Sequence, residues 1–512
     1  VSQMMSFVGE SALSLLYDVM GTKELFGTKG WDFDKGIEDL PYKAETSPGL
    51  RPGPPKQQFK VGEDRFVFTT GGSKGVQMPY AIKVVKKAVA DFRLHGVFKL
   101  PQTLTEIDLK YETFNCYGET DEIIIKTNEK VRYIWLSDCL EYIMCTATCG
   151  YRQKLERRSP ILIGVKFVKG GALKFAEMCH YASLLHFWLI GDLHGYDFSI
   201  KRFYLNLYVM ENLRYFDKKF FKNVSDYHLF VEMTKWVAAT LGMKIIKNPD
   251  GTWEILEGSM ASGRKDTSHG DSWIFALVFF MYVCYYVRTK ECGSELLRSV
   301  LTFMTGINVF GDDFVAWVEL RFRHIINFKS FSAFIEKLGM RFKEGEDKFN
   351  FLTEIDEFDE VRKEGVKLLQ VLFVHRDSVS DDVRLPLVLP YKKSDRLMCR
   401  SIYGNGEPRM ILDYAVSAIG TVWASYGTNK RIYDFFKWFF EQIIFKSGTH
   451  DWVGEYFSTV KSRGVITNLL RKANISIDQL KKGFPTREEL LKGNYEKQEE
   501  HLYYHDKNDF VI

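Results

Sequence analysis

The sequence predicts an α+β fold on three observations. Short apolar runs bounded by Gly, Asn and Asp recur through the chain and read as strands. Two of them, Asn308-Val309-Phe310 and Phe314-Val315-Ala316-Trp317-Val318, flank Gly311-Asp312-Asp313 and read as a hairpin with acids at its turn. Long segments that are apolar throughout or show a 3.6-residue apolar period read as helices, and they dominate the last hundred residues.

The elements follow in chain order. Ser11 to Met20 reads as a helix, and the Gly/Pro-rich stretch Pro48 to Pro55 as an extended strap. Strands are expected near Ile123–Ile125 and Arg132–Leu136. Leu184 to Ile190 is almost entirely apolar and stops at Gly191, the pattern of a buried strand followed by a turn. Residues 201–245 carry helical periodicity; Ser262 starts a loop that opens into an apolar helix over 271–287, and Glu291 to Thr305 continues helical. Beyond the hairpin, Phe331 to Leu338 reads as a helix ended near Gly339, and Leu368 to Val374 as a strand. Arg431–Phe445 and Ile475–Leu480 read as C-terminal helices, and no internal repeat is present.

A chain of 512 residues with 46% hydrophobic content supports about two to four subdomains. Charged residues at 27%, with 39 Gly and 13 Pro, exclude a disordered or collagen-like chain. Lys plus Arg number 70 against 66 Asp plus Glu, so any nucleic-acid role needs a local basic surface. The eight Cys do not suggest a disulfide scaffold at this length, and Cys139, Cys145 and Cys149 match no zinc-knuckle spacing; free thiols in a reducing compartment are expected. The most apolar stretch, Trp273 to Tyr286, falls short of the roughly 20 residues of a membrane span and reads as a buried helix.

Three short segments carry chemistry. Gly191-Asp192-Leu193-His194-Gly195-Tyr196-Asp197 follows an apolar strand; Ser262-Gly263-Arg264-Lys265-Asp266-Thr267 precedes a long helix; Gly311-Asp312-Asp313 sits on a hairpin. An acid at a strand end beside a hairpin with two more acids concentrates like charge, which is costly unless cations neutralise it. Two Mg²⁺ ions about 3.5–4 Å apart would do so, the arrangement of nucleotidyl transfer, and Mg²⁺ takes hard carboxylate ligands of this kind.

In order, spacing and setting together, these segments resemble the RNA-dependent RNA polymerases of positive-strand RNA viruses. Motif A of that family is an acid after a strand with a second acid five positions on, matched by Asp192 and Asp197. Motif B, S-G-x3-T-x3-N, is matched at Ser262, Gly263 and Thr267, with Asp271 where the family usually has Asn. Motif C is Gly311-Asp312-Asp313. Asp192 lies 70 residues before Ser262, which lies 50 before Asp312, an A-B-C order. Lys126-x3-Lys130-x-Arg132 resembles the basic motif F that covers the incoming triphosphate, and Thr69 to Tyr80 resembles motif G at the template entrance. After Gly339 the family has a lysine able to protonate pyrophosphate. Lys348, nine positions on, is preferred by spacing, with Lys343 close behind; Phe373-Val374-His375-Arg376 stands where the motif E turn would be.

The resemblance implies a right-hand polymerase whose palm is an antiparallel sheet backed by helices. Residues 1–185 would be the N-terminal strap and fingers, 186–205 palm with motif A, 206–255 a fingers insertion, 256–380 palm with motifs B to E, and 381–512 a mainly helical thumb. It implies Mg²⁺, with Mn²⁺ a candidate substitute, held by Asp192 and Asp312 with a lesser share for Asp313. Lys126, Lys130 and Arg132 would neutralise the triphosphate, and Asp197, Ser262, Thr267 and Asp271 would read the ribose. Gly263 would let the loop bend near the template. The implied partners are an RNA template and nascent RNA, nucleoside triphosphates and other viral replication proteins, in host cytoplasm at replication complexes. Membrane association would be peripheral and through partners, without a transmembrane span. Arg152, Lys154, Arg157 and Arg158 are candidates for the wall of an RNA channel or for plain surface. A reverse transcriptase shares the acids but usually carries Tyr-x-Asp-Asp where this chain has Phe310-Gly311-Asp312-Asp313; a non-catalytic RNA-binding protein is the remaining alternative.

Overall fold

A computed structural model of the chain describes residues 9, 11–17, 31–38, 40, 51–52, 68–69, 74–112, 115–119, 122–126, 130–155, 160–216, 218–261, 264, 267–289, 305–394, 411–448, 479 and 482–494. Helix α1 (Lys74–His95) precedes strand β1 (Leu104–Glu112), a ribbon of β2 (Asn115–Glu119) and β3 (Glu122–Lys126), and β4 (Lys130–Leu136). Helices α2 (Cys139–Leu155) and α3 (Gly171–Met178) lead to β5 (His186–Leu193), then α4 (Tyr196–Ser199), α5 (Arg202–Met210) and α6 (Val224–Gly242). Strands β6 (Met243–Lys247) and β7 (Trp253–Glu257) come before α7 (Thr267–Thr289), the hairpin β8 (Thr305–Phe310) and β9 (Asp313–Glu319), α8 (Phe328–Lys337) and β10 (Phe342–Lys348). Strands β11 (Lys367–Leu368), β12 (Val371–His375) and β13 (Val388–Tyr391) precede α9 (Ile411–Ala424), α10 (Lys430–Ser447) and α11 (Arg487–Lys492).

The fold is mixed α+β with several sheets. The central one runs β8–β9–β5–β10, antiparallel throughout. A second, β4–β1–β6–β7, pairs β1 parallel to β6; the third is antiparallel β11–β12–β13. Period-two alternation gives the central sheet two buried faces. Phe187, Leu189 and Leu193 of β5, with Phe314, Ala316 and Val318 of β9, join a large core with α7 and α8. Trp188, Ile190 and Val315 point the other way, into a core shared with α3 and the third sheet.

Helix α7 is apolar because it is enclosed: every residue from Trp273 to Cys284 is at most 1% exposed. Among the described residues no helix is long and apolar enough to cross a membrane. Helix α8 starts on a capping box between Asn327 and Ser330 and gives way at Gly339, where φ is +83°. Cys139, Cys145, Cys149, Cys179 and Cys284 are buried free thiols.

The structure revises several expectations. Strand β5 does not turn at Gly191 but continues to Leu193, and Leu184 and Leu185 lie exposed ahead of it. Gly191 is a close-packing residue: a Cβ there would meet Phe328, Phe342 and the Glu344 carbonyl at 3.1 Å. Helix α7 starts at Thr267, before 271; Thr305 is in β8, not a helix, and 291–304 lie outside the described residues. Leu368 to Val374 is not one strand. Leu369 and Gln370, with φ of +53° and +62°, turn the chain between β11 and β12, so Phe373 to His375 lie within a strand and the turn comes earlier. Pro79-Tyr80 sits inside α1 and not at the end of a loop; Pro79 is the sixth residue of the helix, where it removes one backbone hydrogen bond. Residues 11–17 are helical; of 475–480 only 479 is described.

Candidate active site at the acidic end of the central sheet

The ladder that buries the two cores also gathers the acids. Strand β9 pairs with β5 in the register Val315↔Ile190 and Phe314↔Gly191. Asp313 and Asp192 are the residues that follow this last pair on the two strands, and the Asp192 carboxylate acts on that of Asp313. Phe310 pairs with Asp313 across the two-residue loop Gly311-Asp312. Gly311 has φ of +66° and Asp312 does not have positive φ, the pattern of a type II′ turn, which favours glycine first. The Gly311 N–H donates to Ser272 Oγ at 2.8 Å, and Ser272 Oγ donates to the Ser268 carbonyl at 2.6 Å, so α7 fixes the turn that carries Asp312.

Electrostatics report the crowding. Burial pushes the Asp313 carboxyl up to about 7, and the Asp312 and Asp192 carboxylates push the same way. Opposing them are Lys367 and the Leu369 N–H, which donates to Asp313 Oδ2 at 2.6 Å from the β11–β12 turn. Tyr196 feels three carboxylates of this end. Its hydroxyl donates to the Asp271 carbonyl at 2.9 Å. Burial first, then the carboxylates of Asp271, Asp312 and Asp197, raise it well above its ordinary pKa. Asp312 and Asp192 thus act on Asp313, and Asp271, Asp312 and Asp197 on Tyr196. Asp271 is 4% exposed on the second turn of α7.

The lysine beside this cluster is Lys343. The β10 register steps from Phe342↔Leu193 to Glu344↔Asp192, which makes Lys343 the extra residue of a β-bulge. The bulge turns Lys343 toward Asp192, 3.6 Å from Nζ to Oδ2. Lys348 pairs instead opposite Trp188, four residues along β5 and about 13 Å away at strand rise. Its ammonium meets Glu346 at 2.8 Å and donates to the Glu364 carbonyl at 3.1 Å. Of the two lysines expected as candidates, Lys343 lies beside Asp192 and Lys348 does not.

The remaining expectations divide. The Thr267 hydroxyl donates to the Ala261 carbonyl and, at 3.2 Å, to the Arg264 carbonyl, closing the loop ahead of α7. Ser262 and Gly263 lie outside the described residues. Lys126 ends β3, and Lys130 and Arg132 are on β4, in other sheets than the acids; their side chains are outside the described set. Arg152 is no channel-wall residue. It is fully buried, its guanidinium 4.7–5.0 Å from the Tyr208, Tyr215 and Trp273 ring centres. Arg264 forms a buried ion pair with Glu141 of α2 and donates to Cys145 Sγ at 2.7 Å. Sequence reasoning missed Tyr196, Ser272 and the buried roles of Arg152 and Arg264. Tyr196 lies within the first acidic segment, while nothing in the local pattern marks Ser272.

Among the described residues, no group of three or more His, Cys, Asp and Glu is placed to hold a metal ion by itself. The donor set fits Mg²⁺, which keeps waters and takes one or two carboxylates together with substrate phosphates. Like-charged carboxylates at one strand end, one of them driven up to about 7, are what a cation would relieve. No protein-family model and no curated protein matches the chain.

Proposed function

We propose that this chain is a template-directed RNA polymerase that replicates a viral RNA genome. In this reading the β8–β9–β5–β10 sheet is the palm, with fingers N-terminal and in the 206–255 insertion and a thumb over 381–512. The convergence of Asp192, Asp312 and Asp313 at one end of that sheet carries the reading.

Asp192 and Asp312 would hold the metal ions. Asp313 takes a smaller share because its carboxylate is already engaged by the Leu369 N–H. Bound Mg²⁺ would activate the attacking 3′-hydroxyl and stabilise the pyrophosphate leaving group. Lys343, standing beside Asp192, is positioned to give a proton to the departing pyrophosphate. Asp197 and Asp271, whose charges both act on Tyr196, would accept hydrogen bonds from the ribose. Lys126, Lys130 and Arg132 would neutralise the triphosphate from the neighbouring sheets. Protein contacts to RNA would go largely to its backbone, so salt weakens template binding.

Primer extension on a defined RNA template with Mg²⁺ tests the proposal. Wild type should extend the primer. Asp312→Ala, with unchanged circular dichroism, should lose at least about a thousandfold in rate. A folded Asp312→Ala that extends normally would end the reading, and a ribonuclease-resistant product would favour the reverse transcriptase.

A further inference from the structure

The backbone around Asp197 is held by a neighbouring segment, 258–260, in three contacts. The Met260 N–H donates to the Asp197 carbonyl at 2.8 Å, Ser259 Oγ to the Phe198 carbonyl at 3.4 Å, and the Ser259 N–H to the Ile200 carbonyl at 2.7 Å. To lie there the segment adopts two successive left-handed residues, Gly258 at φ +81° and Ser259 at φ +58°. Gly258 is obligatory, since a Cβ would come within 2.8 Å of the Ile200 carbonyl. Ser259 has no such exemption, so its conformation stores strain that the surroundings must overcome.

The opposing group is Lys244. It is 3% exposed, and its ammonium donates to the carbonyls of Gly258 at 2.6 Å and Ser259 at 2.5 Å, the two strained residues. Its third bond, 2.5 Å to the Leu241 carbonyl, anchors it on the last turn of α6, where carbonyls carry partial negative charge. A buried ammonium satisfied by three carbonyls is a rigid tripod, because each lost bond exposes charge to a low-dielectric interior.

We propose that Lys244 is a positioning residue: by clamping the 258–259 kink it sets the placement of Asp197, and through it the discrimination of ribose from deoxyribose. The ribose role of Asp197 rests on the function proposed above; the mechanical coupling does not. Ile200 and Phe198 receive their contacts from the same clamped segment, so loosening it frees the whole 197–200 turn.

Hydrogen exchange followed by mass spectrometry on full-length wild type, Lys244→Met and Lys244→Arg separates the two parts. In Lys244→Met, amides of 197–202 and 258–260 should exchange about tenfold faster or more, with the β5–β9 ladder unchanged. Lys244→Arg should recover part of the protection. In primer extension, the preference of Lys244→Met for ribonucleotides over deoxyribonucleotides should fall about tenfold, mainly through KM for the ribonucleotide. Unchanged exchange at 197–202, or uniformly faster exchange across the chain, overturns the coupling. Faster local exchange with unchanged discrimination overturns the positioning role. Absence of extension by wild type overturns the polymerase reading and, with it, the specificity role, leaving the exchange result to decide the coupling.

Discussion

The two ends of strand β5 handle buried charge in opposite ways. At the start of the strand, His186 pairs across the ladder with Glu319, stacks on His180 at 4.8 Å and 9°, and contacts Ser183 Oγ through Nδ1 at 2.7 Å. Burial pulls both histidines below their ordinary pKa, so the two imidazoles are neutral at neutral pH and leave Glu319 as the acid of that end, which forms an ion pair with Arg321 at 2.8 Å. At the other end Asp192, Asp312 and Asp313 stay together, with Asp313 raised to about 7 by burial and its neighbours. The ladder thus ends in neutral imidazoles on one side and in carboxylates on the other, where Lys343 and Lys367 are among the cations that offset them.

The comparison can be sharpened first with the lysines of β10. Lys343→Ala should slow single-turnover extension by about a hundredfold, as loss of a general acid does, whereas Lys348→Ala should change it less than about threefold. Equal losses would mean that proximity to Asp192 is irrelevant.

Stability against pH separates the two ends. The folded pKa of Asp313 lies above its unfolded value, so the protonated state favours folding and that contribution disappears as pH rises from about 4 through about 7. In metal-free buffer, Asp313→Asn should gain on the order of 2 kcal/mol relative to wild type between pH 5 and pH 8, read by urea denaturation. The histidines have the reverse sign. Their depressed pKa favours folding above the unfolded value near 6.5, and the contribution is lost as pH falls. His186→Phe should therefore flatten the acid limb, by under about 1 kcal/mol after solvent screening. Parallel slopes for the two variants would contradict the contrast.

A modest effect, on specificity and not on stability, is expected at Asp271. Asp271→Asn should alter ribonucleotide preference about threefold to tenfold, since the amide can both donate and accept but removes a charge beside Tyr196. Unchanged preference would count against a ribose role for that position.

Much of the site was legible because turn chemistry and apolar alternation are local. The hairpin at 308–318 and its acids follow from Gly311 between two apolar runs, and burial of 273–284 from an unbroken apolar segment. What escaped depends on tertiary contact. Gly191 looks like a strand stop until Phe328 and Phe342 are seen pressing on it. Leu369-Gln370 carries no turn residue, so the β11–β12 turn was hidden inside an apolar run. The bulge that selects Lys343 over Lys348 exists only in the pairing of two strands 150 residues apart in sequence, in the register Glu344↔Asp192. Arg152 is expected on a channel wall or the surface and Lys244 carries no sequence signal at all; only the rings and carbonyls packed around them give each a buried role.

The central claim is that Asp192 and Asp312 act as one cation-holding unit. A double-mutant cycle on the Mg²⁺-dependent extension rate tests it, with Asp192→Asn, Asp312→Asn and the pair, each checked for folding. If the two carboxylates work together, each single change removes about a thousandfold or more and the double variant falls no further. Losses that multiply, or a single variant within about threefold of wild type, would contradict it.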